Sequence, residues 1–161
     1  SKQSKKWYKK VGVVYQNPDY QLFMQTVENE IKFGAKSDEY ADEIAEKFGI
    51  KHLYARHPQS LSEGQKRRVS IAAVVATKPE VLILDEPTVG QDYKGLCEMV
   101  EVLNRIHEET HNTMITVTHD KRCAAALCDR AVWIKDGKAY KKGDKQLIDE
   151  FFIQIGRNQK I

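Results

Sequence analysis

The chain has 161 residues, 41% hydrophobic and 30% charged, with a formal net charge of +3. That composition describes one ordinary globular domain able to bury a core without metal or disulfides, and it is that of a globular and not a disordered chain. So mild a charge, with acidic residues between the basic ones, gives no footprint for a nucleic-acid partner. The three cysteines, Cys97, Cys123 and Cys128, fit neither a zinc nor a disulfide pattern and suit a reducing compartment. No apolar run approaches the roughly 18–20 residues of a membrane span, so any membrane role would be that of a peripheral subunit.

In chain order, the basic opening SKQSKKWYKK reads as a loop or edge leading to a first strand at Val11–Gln16, which Asn17-Pro18-Asp19 terminates. Helices are predicted over about 25–33, over 38–48 with Ser37 or Asp38 as cap and Gly49 as stop, and over 62–77. "VLIL" at Val81–Leu84 reads as a strand buried on both faces. A helix over Tyr93–Thr110 carries Leu96, Val100, Leu103 and Ile106 or His107 on one stripe. "TMITVT" at Thr113–Thr118 reads as another buried strand, followed by a short helix over 121–127. Asp136-Gly137 sets a hairpin between strands at 130–134 and 138–141, with Trp133 expected in the core, and a last helix covers about 145–153. Strands alternating with helices predict an α/β parallel sheet. The long block between the first two strands, roughly 21–75, is expected to form a helical subdomain.

In such sheets ligands bind beyond the carboxyl ends of the strands. Gln16 follows the first strand, Asp85 and Glu86 the second, and His119 the third. An amide, two carboxylates and an imidazole converging on one edge suit nucleotide hydrolysis. Asp85 can hold Mg²⁺, Glu86 can polarise a water, Gln16 can ligate the metal or place that water, and His119 can bond a terminal phosphoryl oxygen. Ser62 in "SLSEGQKRRVS" is a good N-cap, and Gly64 clears the first helical turn, so the helix start can receive an anion. Taken alone, the plainer reading is a capped surface helix with Lys66, Arg67 and Arg68 in solvent. His107 and His111 lack an evident third metal ligand and read as a surface pair. Cys123 and Cys128 read as packing residues.

The motifs together resemble the ATP-binding-cassette (ABC) ATPases over nearly the whole chain. "LSEGQ" at Leu61–Gln65 resembles their signature, "VLILDEP" at Val81–Pro87 their Walker B segment, and "VGQD" at Val89–Asp92 their D-loop. Thr118-His119 and Gln16 fall at the H-loop and Q-loop. "VVYQNPDYQLF" with "TVENEIKFG" is similar to the energy-coupling-factor and cobalt/nickel importer group. The resemblance implies catalytic roles for Glu86, His119 and Gln16, nucleotide contacts from Ser62, Gly64, Gln65 and Asp92, and Mg²⁺ on Asp85 and Gln16. It also implies ATP shared with a second ABC ATPase subunit, identical or not, and a transmembrane transporter subunit met at the inner face of the cell membrane.

Two departures stand out. Gln91 occupies a D-loop position that is usually Leu, leaving that contact open. No P-loop, G-x-x-x-x-G-K-[ST], occurs in the 161 residues: Gly90 and Gly95 are followed by Leu96-Cys97, and Gly137 and Gly143 are one residue too far apart. Family order sets the P-loop and the adenine-stacking aromatic upstream of the first strand. The expectation is therefore a C-terminal part of an ABC domain: residues 1–20 with the Q-loop strand, 21–75 as the helical subdomain, and 76–161 with Walker B, D-loop, H-loop, hairpin and last helix. Such a part would be a truncated P-loop-NTPase-type sheet, inactive or nearly so by itself. The alternatives are a P-loop-less regulatory module that lends its signature helix to a partner's ATP, and a soluble ABC protein of DNA repair or translation. The latter lacks its usual insertions or tandem cassettes here.

Overall fold

The computed structural model describes residues 10–158 and side chains through residue 155. The basic opening segment, apart from Lys10, lies outside the described residues. The chain divides into two compact units, Ser1–Val117 and Thr118–Ile161.

The first unit is built on three parallel strands, β1 (Val11–Val14), β2 (Val81–Asp85) and β3 (Thr113–Val117), in spatial order β1-β2-β3. Val14 pairs with Leu84 and Leu84 with Thr116, so the strands end at one edge. Between β1 and β2 lie three helices, α1 (Val27–Lys32), α2 (Asp38–Lys47) and α3 (Glu63–Ala76), with 3-10 turns at Pro18–Tyr20, Lys51–Leu53 and Pro58–Ser60. α4 (Tyr93–Thr110) links β2 to β3. Each helix begins where its sequence offers an oxygen cap: Thr26, Ser37, Ser62 and Asp92 each accept an amide hydrogen from the first turn. α2 stops before Gly49, whose φ of +65° lies in the left-handed region that glycine enters without the Cβ penalty.

The sheet corrects one expectation. β2 and β3 are not buried on both faces. Gly12, Val14, Leu82 and Leu84 are buried, whereas Val11, Val13, Val81 and Ile83 are half-buried and Ile115 and Val117 are exposed. Strands laid down in succession in one direction, with crossovers of the usual right hand, put both linking helices on the same face. One face is thus covered by α3, which packs on β1; the Leu96, Met99, Leu103 and Ile106 stripe of α4 is buried, and among the described residues β3 is the last strand of the sheet. The packing is tight at Gly12, where an added Cβ would come within 2.5 Å of Val74 Cγ1 on α3.

The second unit holds α5 (Lys121–Leu127), an antiparallel pair β4 (Arg130–Lys135) and β5 (Lys138–Asp144), and α6 (Lys145–Asn158). Asp136 and Gly137 turn the hairpin with φ of +50° and +72°, as a two-residue turn of this kind requires. Its core is small. Cys123, Leu147 and Ile148 are buried, and Trp133 is half-buried against the rings of Tyr140 and Phe151, at 5.2 and 5.1 Å.

Candidate functional site

The parallel register carries Gln16, Asp85 and Glu86 to one edge of the first unit. Gln16 is exposed two residues past β1, and Asp85 is half-buried as the last residue of β2. Glu86 is only 9% exposed and holds a φ of +48°, a left-handed conformation that costs a non-glycine residue on the order of 1 kcal/mol. Its amide donates to the Val117 carbonyl at 2.9 Å, so the β2–β3 ladder runs one residue past the strand and pins this turn. His119 is exposed and belongs to the second unit, two residues past β3. Asp120 beside it caps α5 and pairs with Arg122, which holds the Asp120 carboxyl below its usual range.

The signature stretch forms a complete capping box. Ser62 Oγ accepts from the Gln65 amide at 3.3 Å, and Gln65 Oε1 accepts from the Ser62 amide at 3.1 Å. Both side chains are committed only as acceptors in this box. A hydroxyl that accepts still has its proton to donate, and the Gln65 amide nitrogen has two. The helix start can therefore stay capped while donating to an anion.

The bases that follow are not a solvated face. Lys66 and Arg67 are buried and Arg68 is half-buried. About 100° apart around α3, they reach three different neighbours. Lys66 Nζ meets Asp19 Oδ1 at 2.9 Å and Gln59 Oε1 at 3.3 Å. Arg68 pairs with Glu98 of α4 at 2.6 Å. Arg67 donates from Nη1 to the Tyr15 carbonyl at 2.9 Å and from Nη2 to the Gln16 carbonyl. Burial weakens the hold of Arg67 on its proton, and the charges of Glu63, Asp85 and Glu86 oppose that. The Lys66 ammonium holds the Asp19 carboxyl below its ordinary range.

The Q-loop is braced from its other side by Gln21. This side chain accepts from the Tyr15 amide and donates to the Val13 carbonyl, both at 2.9 Å, and so takes the place of a neighbouring strand. Glu30, buried in α1, accepts from the amides of Phe23 and Met24 at 2.9 and 2.7 Å and fixes the loop beyond. Tyr20, Phe23 and Phe33 remain exposed, and the last two stack edge to face at 5.3 Å.

In the D-loop, Asp92 is exposed and caps α4 through the Gly95 amide at 2.7 Å. Gln91, the departure from the usual Leu, donates to the Gly64 carbonyl at 3.2 Å. A Cβ on Gly95 would meet Gln91 Oε1 at 2.5 Å, and one on Gly64 would meet Gln91 Nε2 at 3.1 Å. Two glycines thus make room for an amide that joins the D-loop to the signature turn. The local sequence does not show what Lys66, Arg67, Gln21 and Gln91 bind, because their partners are backbone atoms or residues remote in sequence. The polar character of Gln91 at an apolar position was the one available signal. Among the described residues no three His, Cys, Asp or Glu side chains gather as a metal site. The oxygen donors of Asp85 and Gln16 suit a hard ion such as Mg²⁺, which takes few protein ligands and fills its shell from water and phosphate.

A parallel sheet whose strand ends carry glutamine and a carboxylate pair, beside a capped L-S-E-G-Q helix, defines an ABC-type nucleotide-binding fold. The ABC transporter family model matches residues 1–89, and the chain belongs to that family. It is 45% identical to the energy-coupling factor transporter ATP-binding protein EcfA2 of Enterococcus faecalis, over 86% of this chain and 51% of that protein. It is 42% identical to EcfA2 of Bacillus cereus, over 95% of this chain and 54% of that one. The structure of cbiO1 from Clostridium perfringens, described as part of the ABC transporter complex cbiONQ, superposes with a TM-score of 0.80 at 33% identity. That match covers 99% of this chain and 67% of cbiO1. The chain spans about half the length of the curated relatives it matches.

Proposed function

We propose that these residues supply the Q-loop, signature, Walker B, D-loop and H-loop parts of the ATP-hydrolysing subunit of an ABC importer of the energy-coupling-factor type. The observation that carries this reading is the signature stretch Leu61–Gln65, which opens a helix of 14 residues with its cap complete and its donors uncommitted. ATP then lies between two such subunits, identical or different, and Ser62, Gly64, Gln65 and Asp92 meet the nucleotide held on the partner.

On its own edge, Glu86 draws a proton from the attacking water, and Gln16 orients that water. His119 donates to the terminal phosphoryl oxygen. Asp85 and Gln16 would hold Mg²⁺, which would neutralise charge on the phosphates. The exposed Tyr20, Phe23 and Phe33 offer an apolar surface suited to a transmembrane subunit at the inner face of the membrane.

With no P-loop in the 161 residues, the phosphate cradle comes from residues outside them, and the chain as given is inactive or nearly so. Because positioning supplies much of phosphoryl-transfer catalysis, its turnover at saturating Mg-ATP should lie far below about 1 per second. The same sequence joined to its P-loop should turn over at that scale, and Glu86→Gln should lower kcat by about 10²–10⁴. Turnover near 1 per second by the 161 residues alone would overturn the account of the cradle. Wild-type levels in the Glu86→Gln protein would overturn the catalytic assignment. The lack of a P-loop also favours a second reading, a regulatory module that lends its signature helix to a complete partner. Binding to a P-loop-bearing subunit with no hydrolysis of its own under any pairing would select it.

A further inference from the structure

We propose that Arg67 is a positioning residue that makes the setting of Gln16 depend on the place of the signature helix, so that each ATP site of a paired ATPase senses the other. This rests on the sandwich reading above.

Arg67 is 4% exposed, and its guanidinium takes the carbonyls of two consecutive residues, Tyr15 and Gln16. Successive carbonyls of an extended strand point in opposite directions. One fork can hold both only where the chain bends out of β1, so Arg67 fixes that bend. No neutral side chain offers such a rigid planar fork, and lysine offers a point charge in its place. Burying the charge costs several kcal/mol unless it is satisfied. Carbonyl dipoles satisfy two of its nitrogens, with Asp85, Glu86 and Glu63 as the surrounding negative charge. Nε is buried with no hydrogen-bond partner. The residue is therefore held by what it does for the Q-loop backbone, at a desolvation cost that packing alone does not require.

Arg67 lies five positions after Ser62, about 7.5 Å along one rigid helix. Any shift of the helix start toward or away from a phosphate carries the guanidinium with it, and the Gln16 carbonyl follows. Lys66 on Asp19 makes the link two-point, since it grips the turn just past Gln16. Such coupling is reciprocal: an altered Gln16 setting acts back on the signature helix.

The test uses the complete ATPase carrying these residues together with a P-loop, as wild type, Arg67→Lys and Arg67→Met, with folding checked by circular dichroism. Arg67→Lys should leave KM for Mg-ATP within about twofold, lower kcat at least tenfold, and bring the Hill coefficient for ATP from above 1 in the wild type to 1. A Hill coefficient and kcat unchanged within twofold in folded Arg67→Lys would overturn the proposal, whatever becomes of Arg67→Met. A second arm is independent of activity. In the 161-residue chain, Arg67→Lys should speed amide hydrogen exchange about tenfold both at residues 16–21 and at residues 62–66, with Leu82–Leu84 unchanged. Acceleration at one segment alone would overturn the link. A complete wild-type protein without ATPase activity would instead remove the functional reading, leaving the exchange arm to decide the link.

Discussion

In the first unit Val14, Ile31, Ile44, Leu82, Leu84 and Leu103 are fully buried, and charged side chains such as Glu30 and Arg67 are buried with them on backbone partners. In the second, Cys123, Leu147 and Ile148 are the buried apolar residues among those described, while Val132, Ile134 and Tyr140 of the hairpin are exposed. The difference follows from size and topology. A sheet packed by long crossover helices excludes water from whole side chains, whereas a two-stranded ribbon with two helices has too little interior to do so. Burial makes polar positions exact in the first unit, because an unsatisfied group there is expensive. Gln16, Asp85 and Glu86 stand on that firm ground. His119 stands on the weaker unit, from which moving elements are commonly drawn.

Three measurements bear on this contrast. The largest effect is expected from Leu103→Ala, which should cost about 2–5 kcal/mol in the first unit's unfolding transition. A loss below about 1 kcal/mol in urea denaturation would mean that the first unit is not tightly packed. Next, Trp133→Ala removes two ring contacts and should destabilise the second unit by about 1–2 kcal/mol while leaving the first unit's midpoint unmoved. Hydrogen exchange resolved by segment reads this directly, and an equal loss in both units would make them one cooperative body.

The smallest effect concerns pH. Lys66 holds the Asp19 carboxyl below its ordinary 3.8, Tyr54 does the same for Asp42, and Arg68 holds Glu98 below 4.5. Lowered folded-state values mean stabilisation that is full above the ordinary values and lost as pH falls through the folded ones. The first unit's urea midpoint should thus be flat from pH 7 to 5 and decline below about pH 4. Asp19→Asn should shallow that decline slightly, and an unchanged slope would show the Lys66–Asp19 pair to be inert.

Much of the site was legible locally. Ser62 reads as an N-cap in the sequence, and α3 begins just after it. Apolar runs followed by Gln16, Asp85-Glu86 and His119 gave the strand ends, and α4 covers the expected Tyr93–Thr110. Other features depended on neighbours. "VLIL" reads as doubly buried because its composition is uniformly apolar, yet which face is covered depends on where the crossovers run. Nothing near Glu86 announces a left-handed residue, since the ladder bond to Val117 that holds it comes from another strand. Lys66, Arg67 and Arg68 look like a solvated run because a sequence shows charge but not what faces it. The sequence by itself determined the elements, their caps and the order of the motifs, all set by contacts within a few residues. Only the tertiary structure decided that the bases of α3 grip the Q-loop and α4, and that Gln91 reaches Gly64. Those bonds join atoms 27 to 52 residues apart, and only the packed fold brings such groups within hydrogen-bond reach.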